Sequence, residues 1–77
     1  MTKSELAEDF GLRLRALMER YSITQGELAE DIGTSRQMVN QYVNGYCLPT
    51  FDKLVNILYV VGCDFESLVE VDELIEG

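Results

Sequence analysis

The sequence contains no histidine and no tryptophan, a single proline, two cysteines, and only six basic residues against 14 acidic ones. Without histidine, the usual proton carrier at neutral pH and a favoured metal ligand are both missing. Cys47 and Cys63 cannot close a tetrahedral zinc site between them and could form at most one bridge. The densest acidic stretch, Asp64 to Glu76, has Val69 at the sixth position, where a calcium loop needs glycine. No glycine-rich loop suited to phosphate is present. These absences argue against an enzyme and against any metal or organic cofactor. The longest nearly uncharged run, Leu54 to Cys63, falls well short of the roughly 18 residues a membrane-spanning helix needs. Met1-Thr2-Lys3-Ser4-Glu5 is polar with no apolar stretch behind it, so neither a signal peptide nor a membrane association is expected. The expectation is a cytoplasmic protein with both cysteines as thiols.

What the chain does have is apolar content. Of its 77 residues, 47% are hydrophobic, too many for a disordered acidic tail and enough for one small domain spanning residues 1–77. The periodicity is helical throughout. Leu6, Phe10, Leu14, Leu17 and Met18 recur at three- and four-residue steps and share one face of a first helix over about Thr2 to Tyr21. Thr2 and Glu5 form a capping box at its start. Thr24 and Glu27 repeat that spacing ahead of Leu28, Ala29 and Ile32, and Gly33 ends this second helix. Ser35 caps a third helix whose Val39, Tyr42 and Val43 share a face, with Asn44-Gly45 as its stop. After the connector Tyr46-Cys47-Leu48-Pro49, Thr50 caps a fourth helix ended by Gly62. Its Phe51, Leu54, Val55, Ile57, Leu58 and Val61 predict the central element of the core. A fifth, acidic helix is expected over 64–76, capped by Asp64 and carrying Phe65, Leu68, Val69, Val71, Leu74 and Ile75. The fold class that follows is all-α with five helices.

The informative segment is 25–44. Two short helices separated only by Gly33-Thr34-Ser35 must cross steeply, and Ala29 is small enough to let the second helix's backbone approach closely. Leu28, Ile32, Val39 and Tyr42 would fill the angle. That geometry is a helix-turn-helix, whose second helix projects outward and can lie in a DNA major groove.

The stretch Thr24-Gln25-Gly26-Glu27-Leu28-Ala29-Glu30-Asp31-Ile32-Gly33-Thr34-Ser35-Arg36-Gln37-Met38-Val39 resembles the lambda-repressor/Cro-type helix-turn-helix family, also called the xenobiotic-response-element family. Asn44-Gly45, Pro49-Thr50, Leu12-Arg13-Leu14-Arg15-Ala16-Leu17 and Gly62-Cys63-Asp64-Phe65-Glu66-Ser67-Leu68 fall where that family has further signatures, so the resemblance spans about residues 10 to 69. It implies a lambda-repressor-like domain with double-stranded DNA as partner. By the same resemblance, Gln25 matches a position that hydrogen-bonds a DNA phosphate, aided by the helix dipole. It equally suits an ordinary helix start beside Thr24. Thr34 and Ser35 match the turn. Arg36, Gln37, Asn40 and Gln41 take the outward positions of a recognition helix, 36–43. Arginine can bond guanine O6 and N7 together, and glutamine or asparagine adenine N6 and N7. Asn44 falls nearer backbone phosphate than a base. Tyr46 is either a packed connector aromatic or a ring lying along a sugar-phosphate strand.

Two departures from the family pattern stand out. Many members carry lysine or arginine in the connector, where this chain has Tyr46, Cys47 and Leu48. Many also pair an arginine in the first helix with a glutamate before the Asn-Gly, where this chain has Met18 and Val43, a swap of a buried ion pair for packed apolar groups that leaves the fold intact. The net charge of −8 is concentrated at one end, since residues 64–77 hold six acids and no base. Between Gly33 and Phe51 the only charge is Arg36. The expectation is a sequence-specific, phage-repressor-like transcriptional regulator acting as a homodimer, with Val71, Leu74 and Ile75 as the dimer contact. The alternative is a protein-interaction or antitoxin-like module using the acidic surface and the 46–48 connector against a protein partner.

Overall fold

The computed structural model describes residues 2–62 and Leu68. Helices α1 (Lys3–Arg20), α2 (Gln25–Ile32), α3 (Arg36–Val43) and α4 (Phe51–Val61) follow one another, with no strand among the described residues. The architecture is all-helical, as expected. The fifth helix expected over 64–76 lies outside the described residues except for Leu68, which is fully buried in the core.

Local chemistry explains where the elements begin. Both expected capping boxes form: the Thr2 hydroxyl accepts from the Glu5 amide at 3.1 Å, and the Thr24 hydroxyl from the Glu27 amide at 3.1 Å. Each glutamate carboxylate reaches back to its cap residue's amide, so two of the orphan N–H groups at each helix start are satisfied. Ser35 caps α3 by accepting from the Met38 amide at 3.1 Å. Thr50 departs from expectation. It stands at the N-cap position of α4 but makes no cap bond, because its hydroxyl instead donates to the Asp52 carboxylate at 2.5 Å.

The helix ends are equally local. At the end of α2, Gly33 has φ +75°, and the Thr34 amide donates to the Ala29 carbonyl at 2.9 Å, closing the sharp reversal that the turn requires. The end of α1 makes the same reversal without glycine. Ser22 sits at φ +56° while the Ile23 amide donates to the Met18 carbonyl at 2.8 Å. A β-carbon in this left-handed region is strained, so Ser22→Gly is expected to stabilise the domain by about 0.5–1 kcal/mol and raise its melting temperature by roughly 3–6 °C. A calorimetric scan in which the variant melts at or below the wild-type temperature would contradict that assignment.

The core is built mainly by the first three helices. Phe10 and Leu14 of α1, Leu28 and Ile32 of α2, and Val39 of α3 are almost completely buried. Each such side chain contributes roughly 1.5–3 kcal/mol relative to exposure. Helix α3 packs on both α1 and α2, and α4 packs on α2. The fourth helix is therefore a flank rather than the expected centre. Only Ile57 and Val61 of its apolar set are buried, Leu54 and Leu58 are partly so, and Phe51 and Val55 point to solvent. The reason is an excess of apolar positions: among the described residues α4 packs chiefly on α2, and a helix held mainly from one side buries mainly one stripe. Met18 and Val43 are both buried in the core cluster, as the apolar swap requires. In the connector, Cys47 and Leu48 are half-buried against the core, which leaves Tyr46 as the exposed member of that trio.

Candidate nucleic-acid interface

Helix α3 owes its orientation to its buried side. Val39, Tyr42 and Val43 face inward, so the residues between them must face out. Arg36, Gln37, Asn40 and Asn44 are exposed, and Gln41 is half-buried. At the turn, Thr34 is half-buried and Ser35 exposed, with the Ser35 oxygen engaged in capping. Gln25 opens α2 and is half-buried.

The exposed amides form a connected row. Asn40 Nδ2 donates to Gln25 Oε1 at 3.3 Å, and Asn44 Nδ2 donates to the Asn40 carbonyl at 2.9 Å and to Asn40 Oδ1 at 3.0 Å. Arg15 of α1 then donates from Nη2 to Asn44 Oδ1 at 3.2 Å. One line of side chains thus ties α2, α3 and α1 together along the outer edge of α3. Linked amides hold one another in single rotamers, which lowers the entropy lost when they bind. Arg36 and Gln37 have no hydrogen-bond partner among the described residues, so their polar ends are uncommitted. Gln41 differs from its sequence reading as an outward residue. It is turned toward the connector, where its Oε1 accepts from the Cys47 thiol at 3.9 Å. The cause is the connector's fold-back onto the core, which brings Cys47 alongside the last turn of α3.

Arg15 is the residue that periodicity missed. Its place next to buried Leu14, three positions before buried Met18, puts it at the rim of the α1 stripe. That signal existed, but only the packing of α1 on α3 reveals that the rim meets Asn44. An open cleft of about 570 Å³ lies beside it, lined by Arg15, Glu19, Thr24 and Gln25 with Met18 and Val43 beneath. A further cation near the unit is structural. Lys53 donates from Nζ to the Ile32 and Gly33 carbonyls at 3.2 and 3.0 Å, and so offsets the negative end of the α2 dipole.

The capping box that positions Gln25 titrates. Hydrogen bonds from the Thr24 backbone and hydroxyl hold the Glu27 carboxyl below its ordinary range, and the Thr50 hydroxyl does the same for Asp52. Burial pushes the Tyr42 phenol up, reinforced by nearby Cys47 and Asp52. A depressed carboxyl contributes stability that is present above its unfolded pKa and lost as pH falls through the folded one. Stability is therefore expected to fall as the pH drops below the ordinary carboxylate range. Glu27→Gln should flatten that limb in urea titrations repeated across pH, and an unchanged acid slope would remove Glu27 from the explanation.

The pattern is now specific: two short helices at a glycine reversal, an exposed amide and guanidinium ridge, and a half-buried glutamine at the start of the first helix. Residues 14–68 match the helix-turn-helix family of the lambda-repressor/Cro type. The chain belongs to that family. No curated protein and no solved structure gives a significant match. The helix-turn-helix family is one of DNA-binding domains, and DNA is the partner its membership implies. Among the described residues no helix is long and apolar enough to cross a membrane.

Proposed function

We propose that this helix-turn-helix protein is a sequence-specific transcriptional regulator that binds its operator as a homodimer, with α3 of each copy in a major groove and half-sites about 34 Å apart. The observation that carries the reading is the outward, uncommitted pair Arg36 and Gln37 beside the prearranged Gln25–Asn40–Asn44–Arg15 row. In this reading Arg36 reads guanine, Gln37 and Asn40 read adenine, and Gln41 contributes from its partly covered position. Gln25, Thr34, Ser35, Asn44 and Arg15 meet phosphates and set the register. Arg15 supplies beside α3 the positive charge that the uncharged connector withholds. The regulator works in the cytoplasm by occupying a promoter and needs no cofactor.

A net charge of −8 opposes approach to DNA, so affinity should be modest and its salt dependence shallow. Among the described residues Arg15 and Arg36 are the cations at the outer edge of α3, so the logarithmic salt slope for a dimer is expected at about −2 to −4. Arg15→Gln should reduce its magnitude by roughly 1 per copy while leaving sequence preference intact. Fluorescence anisotropy with mixed and with selected duplexes over a salt series measures both. Absence of binding to any duplex at low salt would sink the reading in favour of a protein-interaction module.

A further inference from the structure

Among the described residues, nothing covers a row of side chains along α4. Phe51 is 79% exposed, Val55 43% and Tyr59 89%. At four-residue spacing these three lie on one face over about 12 Å of helix. A single exposed aromatic is ordinary, but two aromatics and a valine in file make an apolar strip that water solvates poorly.

We propose that this strip is the contact through which two copies of the chain pair. Two observations select a second copy over other occupants. The strip is symmetric about Val55: an antiparallel pair of α4 helices sets Val55 on the two-fold axis and Phe51 of each copy against Tyr59 of the other, the self-complementary pattern of an isologous interface. Phe51 to Val61 contains only Asp52 and Lys53 as charges, a neutral window on a chain of net charge −8, so two copies meet there with least mutual repulsion. That same neutrality leaves nothing to steer in a basic or acidic partner. The area is also informative. With aromatics burying roughly 150 Å² each, the strip supplies about 400 Å² per copy, about 800 Å² in all, below the standard size of a stable interface. The dimer is therefore weak in free solution and is completed when two half-sites hold both copies on one duplex. This surface gives the homodimer proposed above its contact and rests on that reading for its purpose, while the contact itself is measured without DNA, so either can fail alone. The earlier expectation of pairing through Val71, Leu74 and Ile75 concerns residues outside those described.

Sedimentation equilibrium of the full chain in DNA-free buffer, from micromolar to millimolar concentration, tests the contact. The expected result is an average mass that rises toward twice the monomer's with concentration. Tyr59→Glu should raise the dissociation constant at least tenfold while leaving the thermal melt unchanged, and Tyr59→Phe should behave as wild type. A chain that stays monomeric throughout overturns the proposal. So does a dimer that Tyr59→Glu leaves equally tight, which would assign pairing to residues outside this strip.

Discussion

Gly11→Ala is expected to destabilise the domain by about 1–3 kcal/mol, a fall of roughly 5–15 °C in melting temperature for a chain of this size. In an isolated helix the same change would stabilise by nearly 1 kcal/mol, because glycine is among the weakest helix formers. The sign reverses here for a steric reason. A β-carbon on Gly11 would lie 2.6 Å from the Tyr42 carbonyl oxygen, 2.7 Å from that of Val43 and 3.0 Å from the Gly45 nitrogen. All three atoms are backbone at the end of α3, so no side-chain rotation can relieve the clash, and α1 and α3 must separate. That separation also pulls Arg15 from Asn44. The change should therefore weaken DNA binding beyond its effect on the folded fraction. Gly26→Ala supplies the control. Gly26 is also helical, but a β-carbon there would meet nothing within 4 Å, and that variant should gain up to about 1 kcal/mol. Paired calorimetric scans separate the two, and a Gly11→Ala protein melting above wild type would refute the close approach.

Arg36→Ala is expected to cost roughly 10- to 100-fold in affinity for the preferred operator and little for unrelated duplexes, since a bidentate arginine–guanine contact discriminates by about 1–3 kcal/mol. Arg36 is chosen over Asn40 because of the hydrogen bonds around them. Asn40 already spends Nδ2 on Gln25 and Oδ1 on Asn44, whereas the Arg36 guanidinium is exposed and uncommitted among the described residues. Gln25→Ala should instead weaken all sites to a similar degree, as loss of a phosphate contact does. It should add a small change at the base that Asn40 is proposed to read, since it removes the Asn40 partner. Selection of duplexes from a random pool, followed by binding of single-base variants, measures these effects. If Gln25→Ala relaxed preference while Arg36→Ala weakened every site alike, the two roles would have to be exchanged.

Much of the fold was legible because its signals are short-range. Thr24 and Glu27 three residues apart announce a helix start whatever surrounds them, and Gly33 announces a reversal because it alone tolerates φ +75° without strain. The buried face of α3 was legible for a similar reason, since Val39, Tyr42 and Val43 can share only one side of a helix. That side also placed Arg36, Gln37 and Asn40 outside. Periodicity failed on α4. Its apolar residues cover more of the helix than its packing, chiefly on α2, can bury, and period alone does not say which stripe is covered.

Composition and spacing were enough for the bounds of α1 to α4, the helix-turn-helix and the outward placement of Arg36, Gln37 and Asn40, because each depends on residues no more than about four positions apart. Three matters depended on the packed chain: that Arg15 reaches Asn44 across 29 positions, that Gly11 is a contact point while Gly26 is open, and that Phe51, Val55 and Tyr59 face solvent. Each is a relation between helices, set by how α1, α2, α3 and α4 divide a limited interior. A residue's own neighbours in sequence carry no record of which distant backbone will lie against it.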